Sequence, residues 1–481
     1  MYEEKSNAEN FCLSIVGQNV ENSKALANLV MALSSDCTAK SVVGLSESPL
    51  FHYQYSSICD AIAHVSTDAI SLAKAQSMVQ ALCLPYLKKQ KVNHFQTDGV
   101  CLFRQHSPCL EGRQYVYKAN TVIPGNKPLG IGYSYSFVNA ADLPHSWSVP
   151  FSVNRVGLTD HVISIGVHQI AQICKSEAFK DTVVVNTCDS SYGCSRYLSP
   201  SQKVANLISL TRLRYGNKVY PQAPLGATGG APQIYGEVAY LTHLTQTKTG
   251  VIKGEAYAKH QVSLYDGEAT AYLRVEETTK RGKKLTIELR RYANYMMRSK
   301  HGFSMKETVF DVVAVRVYHS ATGQRVFGHD LFIGVAGGQR SSMSLQEVFT
   351  AFRHRFDLEV SNRFEKQCLF LESFQTPDVS HLDNWVLVVQ MAMWLLYISS
   401  GDVGHSSKKW QTYSEPVVGA DRLKTASQTK KGAERFFCSF DSRPFLPGKY
   451  KKGLGRKKGE TQPKRVRFSV VKKGKKAVKR E

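Results

Sequence analysis

The chain has 481 residues, of which 42% are hydrophobic and 10% aromatic, and its 62 Lys and Arg against 39 Asp and Glu give a formal net charge of +23. This hydrophobic content excludes a largely disordered protein, and the length exceeds one ordinary core, so we expect two to four structural units. The charge favours a polyanionic partner, nucleic acid ahead of a membrane surface.

Residues 1–90 have the apolar spacing of helices, with one helix over Asn22 to Leu33 and another over Thr67 to Leu84. Pro85 directly follows the second helix and ends it. The segment has no clear helix-turn-helix pattern, so DNA binding by this helical domain stays open.

The hydrophobic period changes to that of strands after Val92. Asp160 to about Ser176 is predicted as a helix within this segment. The predicted strands are Val92 to Phe103, Gln114 to Lys118, Pro128 to Phe137 and Thr182 to Asn186. This order predicts a mixed α/β sheet, with Asp98 on the first strand and Asp189 just beyond the last.

Residues 206–215 are predicted as a helix, and the Gly/Pro-rich loop 221–236 follows without the Gly-Lys-Ser/Thr of a phosphate loop. From 237 to 325 the pattern is largely β. Ser344 and Glu347 have the spacing of a helix capping box. The predicted strands are Ala271 to Glu276, Lys284 to Arg290, Val309 to Tyr318 and Asp330 to Val335.

The longest apolar run, Trp385 to Ile398, is interrupted only by Gln390 and spans 14 residues, fewer than the roughly 20 that cross a bilayer. We therefore predict a buried helix over 382–398. Beyond residue 400 we expect a flexible basic tail, because residues 443–481 hold 11 Lys and 5 Arg against 2 Glu. The 11 scattered cysteines and the lack of an apolar signal core near Met1 favour a cytoplasmic protein.

Three carboxylates are candidates for a metal site. Asp98 and Asp189 lie at or near predicted strand ends, and Glu359 lies on the helix after Ser344, on one face with Arg355 and Lys366. Taken singly, each has a structural explanation as a turn, cap or ion-paired residue, and Asp160 competes with Asp98 although helix capping explains it. Together, in a basic protein, they suggest Mg²⁺-assisted cleavage of phosphodiesters.

These residues resemble the DDE transposases of bacterial insertion sequences, in the branch with a Tyr-x2-Arg-x3-Glu-x6-Lys motif. Here the motif has Phe352, Arg355, Glu359 and Lys366 at the same spacing, so Phe352 lacks the hydroxyl expected to contact a DNA phosphate. Further similar segments, within about residues 95–400, are Tyr115 to Lys118, Pro124 to Pro128, Asp189 to Gly193, Arg212 to Arg214 and Phe364 to Gln367.

The resemblance implies a ribonuclease H-like α/β core at 91–236 and 326–400, interrupted by a β-rich insertion at 237–325, with a helical domain at 1–90 and a basic region at 401–481. It implies that Asp98, Asp189 and Glu359 hold two Mg²⁺ ions, for which Mn²⁺ can substitute. The residues that it implies contact DNA are Arg355, Lys366, Arg363, Arg212, Arg214 and Lys127.

We therefore expect a DNA transposase that cleaves element ends and transfers the 3′-hydroxyl strand into target DNA, as a homodimer on DNA, associated with the bacterial nucleoid. Two alternatives stay open. One is a decayed, non-catalytic nucleic-acid-binding protein, which explains the charge equally well. The other is a structure-specific nuclease without strand transfer.

Overall fold

The computed structural model divides into two compact units. The first comprises Met1–Lys88, Gly99–Val162 and Asp357–Glu481, and the second comprises Lys89–Asp98 and Ile163–Phe356. The residues that the structure describes are 5–18, 21–36, 38–67, 71–87, 90–117, 129–223, 234–252, 255–279, 281–404, 423–440, 459, 461 and 464–472.

The helices are α1 (Asn7–Val16), α2 (Ser23–Leu33), α3 (Ser56–Ala63), α4 (Leu72–Cys83), α5 (Val162–Lys175), α6 (Ser195–Ser201), α7 (Leu345–Arg353), α8 (Arg355–Cys368), α9 (Val379–Ser399) and α10 (Ala426–Cys438). The strands are β1 (Val92–Phe103), β2 (Gln114–Tyr117), β3 (Leu129–Asp142), β4 (Trp147–Arg155), β5 (Val183–Cys188), β6 (Leu207–Leu213), β7 (Lys218–Pro221), β8 (Ala239–Tyr240), β9 (Gln246–Ile252), β10 (Glu255–Gln261), β11 (Ala271–Thr278), β12 (Lys284–Met296), β13 (Phe310–His319) and β14 (Leu331–Ala336).

The first unit is built around α9, which packs against α1 to α4, α10 and β4. Its length and composition would allow it to cross a membrane, yet 94% of its most apolar 18-residue window is buried inside the protein. The buried Trp394 donates its indole N–H to the Pro150 carbonyl at 2.8 Å. Asp383 accepts from Arg155 at 3.1 Å and from the Tyr135 hydroxyl at 2.7 Å. The prediction of a buried helix over 382–398 is confirmed.

The prediction of a flexible tail beyond residue 400 is wrong for two segments. Helix α10 begins with a capping box of Thr425 and Gln428, and its buried Ala433 and Phe437 lie one turn apart. Its Lys430 donates to the Leu33 carbonyl at 2.7 Å, near the end of α2. Residues 464–472 lie along the start of β2, where the Val471 amide donates to the Arg113 carbonyl at 2.7 Å.

The second unit holds most of a large mixed sheet, as predicted. Strands β1, β5 and β6 are parallel, β14 is antiparallel to β6, and β13 and β12 continue the antiparallel order. Of β1, the residues up to Asp98 belong to this unit and Gly99–Phe103 belong to the first unit, where β1 neighbours β3.

The predicted helix over 206–215 is wrong, because these residues form β6. Every residue of Leu207–Thr211 is buried, and β6 is an interior strand that pairs with β5 on one edge and β14 on the other. A short apolar run of this kind has no clear period, so the sequence does not distinguish a buried strand from a helix. Strands β4 and β7 were not predicted either, whereas β8 to β10 lie in the segment 237–325 that was predicted to be largely β.

The helix predicted after Ser344 is two helices. The capping box of Ser344 and Glu347 is confirmed at the start of α7. Helix α7 ends at Arg353, His354 forms its C-cap, and α8 begins at Arg355. Only Arg355 and Phe356 of α8 belong to the second unit.

Buried Glu365 on α8 makes the stability of the protein depend on pH. Its carboxyl is fully buried and accepts from the Ser361 hydroxyl at 3.0 Å. Burial raises its pKa to about 8, although the Ser361 hydrogen bond and nearby Lys366 oppose the shift. Between its ordinary pKa of about 4.3 and this value, the folded state binds the additional proton, so stability falls as pH rises.

We predict that Glu365→Gln raises the thermal midpoint more at pH 9 than at pH 5, because the uncharged amide removes the cost of burying a carboxylate. Thermal denaturation at both pH values measures the difference. Replacing exposed Glu47 by Gln is the control and leaves the pH dependence of the wild type. Equal effects of Glu365→Gln at both pH values would contradict a neutral buried carboxyl.

Candidate active site

The pairing of β1 with β5 brings two predicted site residues together. The strands are parallel, and their register runs from Val92 opposite Val183 to Thr97 opposite Cys188. The next residue of each chain segment is Asp98 or Asp189. Neighbouring strands lie about 4.8 Å apart, and residues in register point to the same face. Both aspartates are half-buried at the carboxyl-terminal end of this strand pair.

A buried polar network joins the strands just before the two aspartates. The Thr97 hydroxyl donates to the Asn186 side-chain oxygen at 2.9 Å, and the Asn186 amide donates to the Tyr197 hydroxyl at 2.7 Å. The Tyr197 and Ser209 hydroxyls are 3.2 Å apart. The network connects β1, β5, α6 and β6, and it fixes the register that pairs the aspartates. Asn186 was not identified as important from the sequence. The available signal was a polar amide side chain directly after the three valines of a predicted buried strand.

Charged groups near the end of β5 affect the pKa of the Cys188 thiol. Burial raises its pKa to about 12, a hydrogen bond with Tyr197 lowers it, Asp98 raises it and Arg355 lowers it. Asp98 and Arg355 are therefore both close enough to Cys188 to affect its ionisation. The structure thus brings Arg355 to the strand end that carries Asp98 and Asp189.

Arg355 is positioned by the face of β1 that carries Asp98. Gln96, which is 1% exposed, donates its side-chain amide to the His354 carbonyl at 2.7 Å, at the junction of α7 and α8. Burial, together with the nearby His354, lowers the pKa of His94 on the same face to about 4. Arg355 itself is 4% exposed, with its guanidinium carbon 4.7 Å from the Phe356 ring centre.

The loop after Asp189 turns tightly and packs against the end of β6. The Tyr192 amide donates to the Asp189 carbonyl at 3.0 Å. A Cβ atom on Gly193 would lie 2.5 Å from the Arg212 carbonyl oxygen, closer than real Cβ contacts. Gly193 therefore allows the backbone of the loop to approach β6 closely.

Glu359 lies in the first unit, on α8 and one helical turn after Arg355. Its side chain is exposed, as is that of Arg363 on the same helix. Lys366 has internal partners instead: its ammonium donates to the Cys101 carbonyl at 2.7 Å and forms an ion pair with Glu372 at 2.9 Å. The predicted DNA contact by Lys366 would require this ammonium to leave or share those partners.

The remaining predicted residues lie in different surroundings. Arg212 and Arg214 are exposed near the carboxyl-terminal end of β6, so both are accessible to a ligand. Phe352 belongs to α7 and is buried, so its ring packs inside the second unit. Lys127 lies outside the described residues.

The aspartate pair has the donor chemistry of a magnesium site. Two carboxylates held side by side offer hard oxygen ligands, and Mg²⁺ is commonly held by one or two carboxylates and several waters. Across the described ranges, no three His, Cys, Asp or Glu side chains are grouped so that they could hold a metal ion. Two carboxylates leave the remaining ligand positions of such an ion to water or substrate.

Comparison with known proteins gives one family. The sequence profile described as DDE superfamily endonuclease matches residues 18–271, more than half of the chain. The matched region includes Asp98, Asp189 and the buried network around Asn186, whereas Glu359 lies beyond it. No curated protein matches the sequence significantly.

We predict that Gly193→Ala moves the loop after Asp189 away from β6 and lowers the free energy of unfolding by about 1–3 kcal/mol, as overpacking does. Chemical denaturation measures this change. Gly328→Ala is the matched control, because its added methyl group would have no atom within 4 Å. If both variants are equally stable, the close approach at Gly193 does not constrain the loop.

Proposed function

Since the chain belongs to the DDE superfamily endonuclease family, we propose that it is a DNA transposase that cleaves element ends and joins the freed 3′-hydroxyl to target DNA. A DDE endonuclease implies a DNA substrate, and nucleases of this class generally use divalent metals. The observation that carries the proposal is the in-register placement of Asp98 and Asp189 at one strand end, with Arg355 nearby.

Asp98 and Asp189 are the proposed holders of two Mg²⁺ ions, with Mn²⁺ as a substitute. Glu359 is the proposed third carboxylate. Its assignment rests on its position four residues after Arg355 on α8 and on the motif spacing. When bound, the metals supply charge stabilisation for the attacking and leaving oxygens of an in-line displacement.

Two displacements at phosphorus make up the proposed reaction. In the first, a water oxygen bonds to the phosphorus, the bond to O3′ breaks, and O3′ takes up a proton to become a free hydroxyl. In the second, that hydroxyl loses its proton and attacks a target phosphorus, and the target strand leaves as a new 3′-hydroxyl. The second step distinguishes a transposase from a plain nuclease.

The chain's own residues have proposed roles around these steps. Buried Arg355 offsets the negative charge of the aspartate pair, and its guanidinium is suited to bidentate contact with a phosphate. Lys366, Arg363, Arg212, Arg214 and Lys127 are the further proposed DNA contacts. The high net charge of +23 favours such contacts and predicts steep salt dependence of binding.

We also propose how the chain is divided into domains. We assign residues 237–325 as an insertion within a ribonuclease H-like core, residues 1–90 as a helical domain able to contact element ends, and residues 401–481 as a basic region. A homodimer on DNA follows from the need to hold two ends together. A cytoplasmic, nucleoid-associated location follows from the proposed substrate.

We predict that Asp189→Asn and Glu359→Gln each reduce DNA cleavage about 100-fold or more, since losing a metal ligand removes several kcal/mol of charge stabilisation. Nicking of plasmid DNA with Mg²⁺ measures cleavage, and fluorescence anisotropy shows that DNA binding persists. Asp181→Asn is the matched control and is expected to keep wild-type cleavage. Asp181 lies just before the start of β5, at the end of the strand away from Asp189.

Wild-type cleavage by both site variants would exclude the carboxylates as the metal site. Strand transfer is measured separately, by joining of an end with a 3′-hydroxyl to plasmid DNA. An end with a 3′-deoxy terminus is the negative control. Cleavage without joining would favour the plain nuclease, and DNA binding without either would favour the non-catalytic alternative. Terminal inverted repeats beside the gene would support transposition.

A further inference from the structure

A polar cleft lies directly beside the loop that follows Asp189, within the second unit. Its volume is about 550 Å³. Its walls are the loop Ser190–Ser195, the turn between β6 and β7, and the segment after β12. Of the residues that line it, only Arg214 is among the DNA contacts predicted from the sequence.

We propose that this cleft binds the phosphodiester backbone of the DNA strand that runs away from the cleaved bond. The inference rests on the proposed function, because it takes the aspartate pair as the place of cleavage. Ser190 is the residue after Asp189 and lines the cleft. A strand whose phosphate reaches Asp189 therefore meets the cleft with its neighbouring phosphates.

The inference rests on the positive charge of the residues that line the cleft. Arg214, Lys218, Arg298 and Lys300 line the cleft with exposed side chains, and the lining residues include no carboxylate. None of the four forms an ion pair within 4.0 Å with a carboxylate that the structure describes. Like charges around one cavity repel each other, and a polyanion relieves that repulsion.

Two of the cationic residues are held in place by the fold. Strand β7 pairs with the end of β12 at Tyr220 and Met296. The Arg298 guanidinium carbon lies 5.3 Å from the centre of the buried Tyr220 ring, which orients this side chain. The Ser195 hydroxyl donates to the Lys300 carbonyl at 3.2 Å, so the segment after β12 is tied to the loop that follows Asp189.

The size of the cleft suits a DNA backbone. A space of 550 Å³ is roughly 8 Å on a side, which accommodates about two phosphates of one strand at a rise of about 3.4 Å per nucleotide. The hydroxyls of Ser190 and Ser191 add neutral donors along one wall. None of these contacts requires a particular base, so we expect binding independent of sequence.

The test removes two charges from the cleft in the full-length chain. Arg298→Gln combined with Lys300→Gln is compared with wild type on a labelled duplex with a single-stranded overhang of arbitrary sequence. Fluorescence anisotropy gives Kd over a series of KCl concentrations. We expect about tenfold weaker binding near physiological salt, and a log–log salt slope that is shallower by about 1.5, from about 0.7–0.9 for each lost phosphate contact.

Two control variants make the result specific. Lys175→Gln with Lys180→Gln removes the same charge near the opposite end of β5 and keeps wild-type affinity and slope. Arg298→Lys with Lys300→Arg preserves the charge and restores the wild-type slope. If the Gln variant matches the opposite-end control, or if the charge-preserving variant loses as much binding as the Gln variant, the cleft is not a phosphate site.

The same series separates this inference from the proposed function. Asp189→Asn is expected to reduce cleavage about 100-fold or more, as above, while keeping the wild-type salt slope. If Asp189→Asn loses cleavage but the Gln variant keeps the wild-type slope, the cleft is not a phosphate site, while the proposed nuclease function stands. Cleavage by Asp189→Asn overturns the aspartate site, and with it the premise on which the cleft was assigned.

Discussion

The candidate site depends on one constraint, the parallel, in-register pairing of β1 with β5. Because side chains alternate along a strand, a slip of one residue would turn Asp98 or Asp189 to the other face of the sheet. Asn186 opposes such a slip, since its amide group holds the hydroxyls of Thr97 and Tyr197 inside the unit. The carboxylate pair is thus stabilised by buried hydrogen bonds that never touch it.

The second constraint is the junction between α7 and α8. The hydrogen bond from Gln96 to the His354 carbonyl fixes the start of α8 on the face of β1 that carries Asp98. Burying an Arg is costly unless negative charge lies close by, and both Arg355 and Asp98 affect the pKa of the Cys188 thiol at the end of β5.

Features that are encoded by short sequence spacing were predicted correctly, whereas a strand buried by distant parts of the chain was not. Strand β1 has the predicted bounds, and the capping box of Ser344 and the buried helix α9 are confirmed, because each is encoded by local spacing. The helix predicted over 206–215 is the strand β6, whose buried apolar run has no distinctive period. Helix α10 was missed although Thr425 and Gln428 have the spacing of a capping box, since the surrounding basic residues dominated the interpretation.

The sequence by itself determined the basic charge, the mixed α/β class, the acidic residues at strand ends and the motif around Glu359, because composition and short spacing are local properties. Only the tertiary structure decided that Asp98 and Asp189, 91 residues apart, become neighbours, since that contact depends on which strands pair and in which register. The tertiary structure also decided that Arg355 is buried, while Lys366 is engaged by Glu372 and a backbone carbonyl. The motif spacing alone predicts a DNA contact for both Arg355 and Lys366. Their different packing in the structure distinguishes the two side chains.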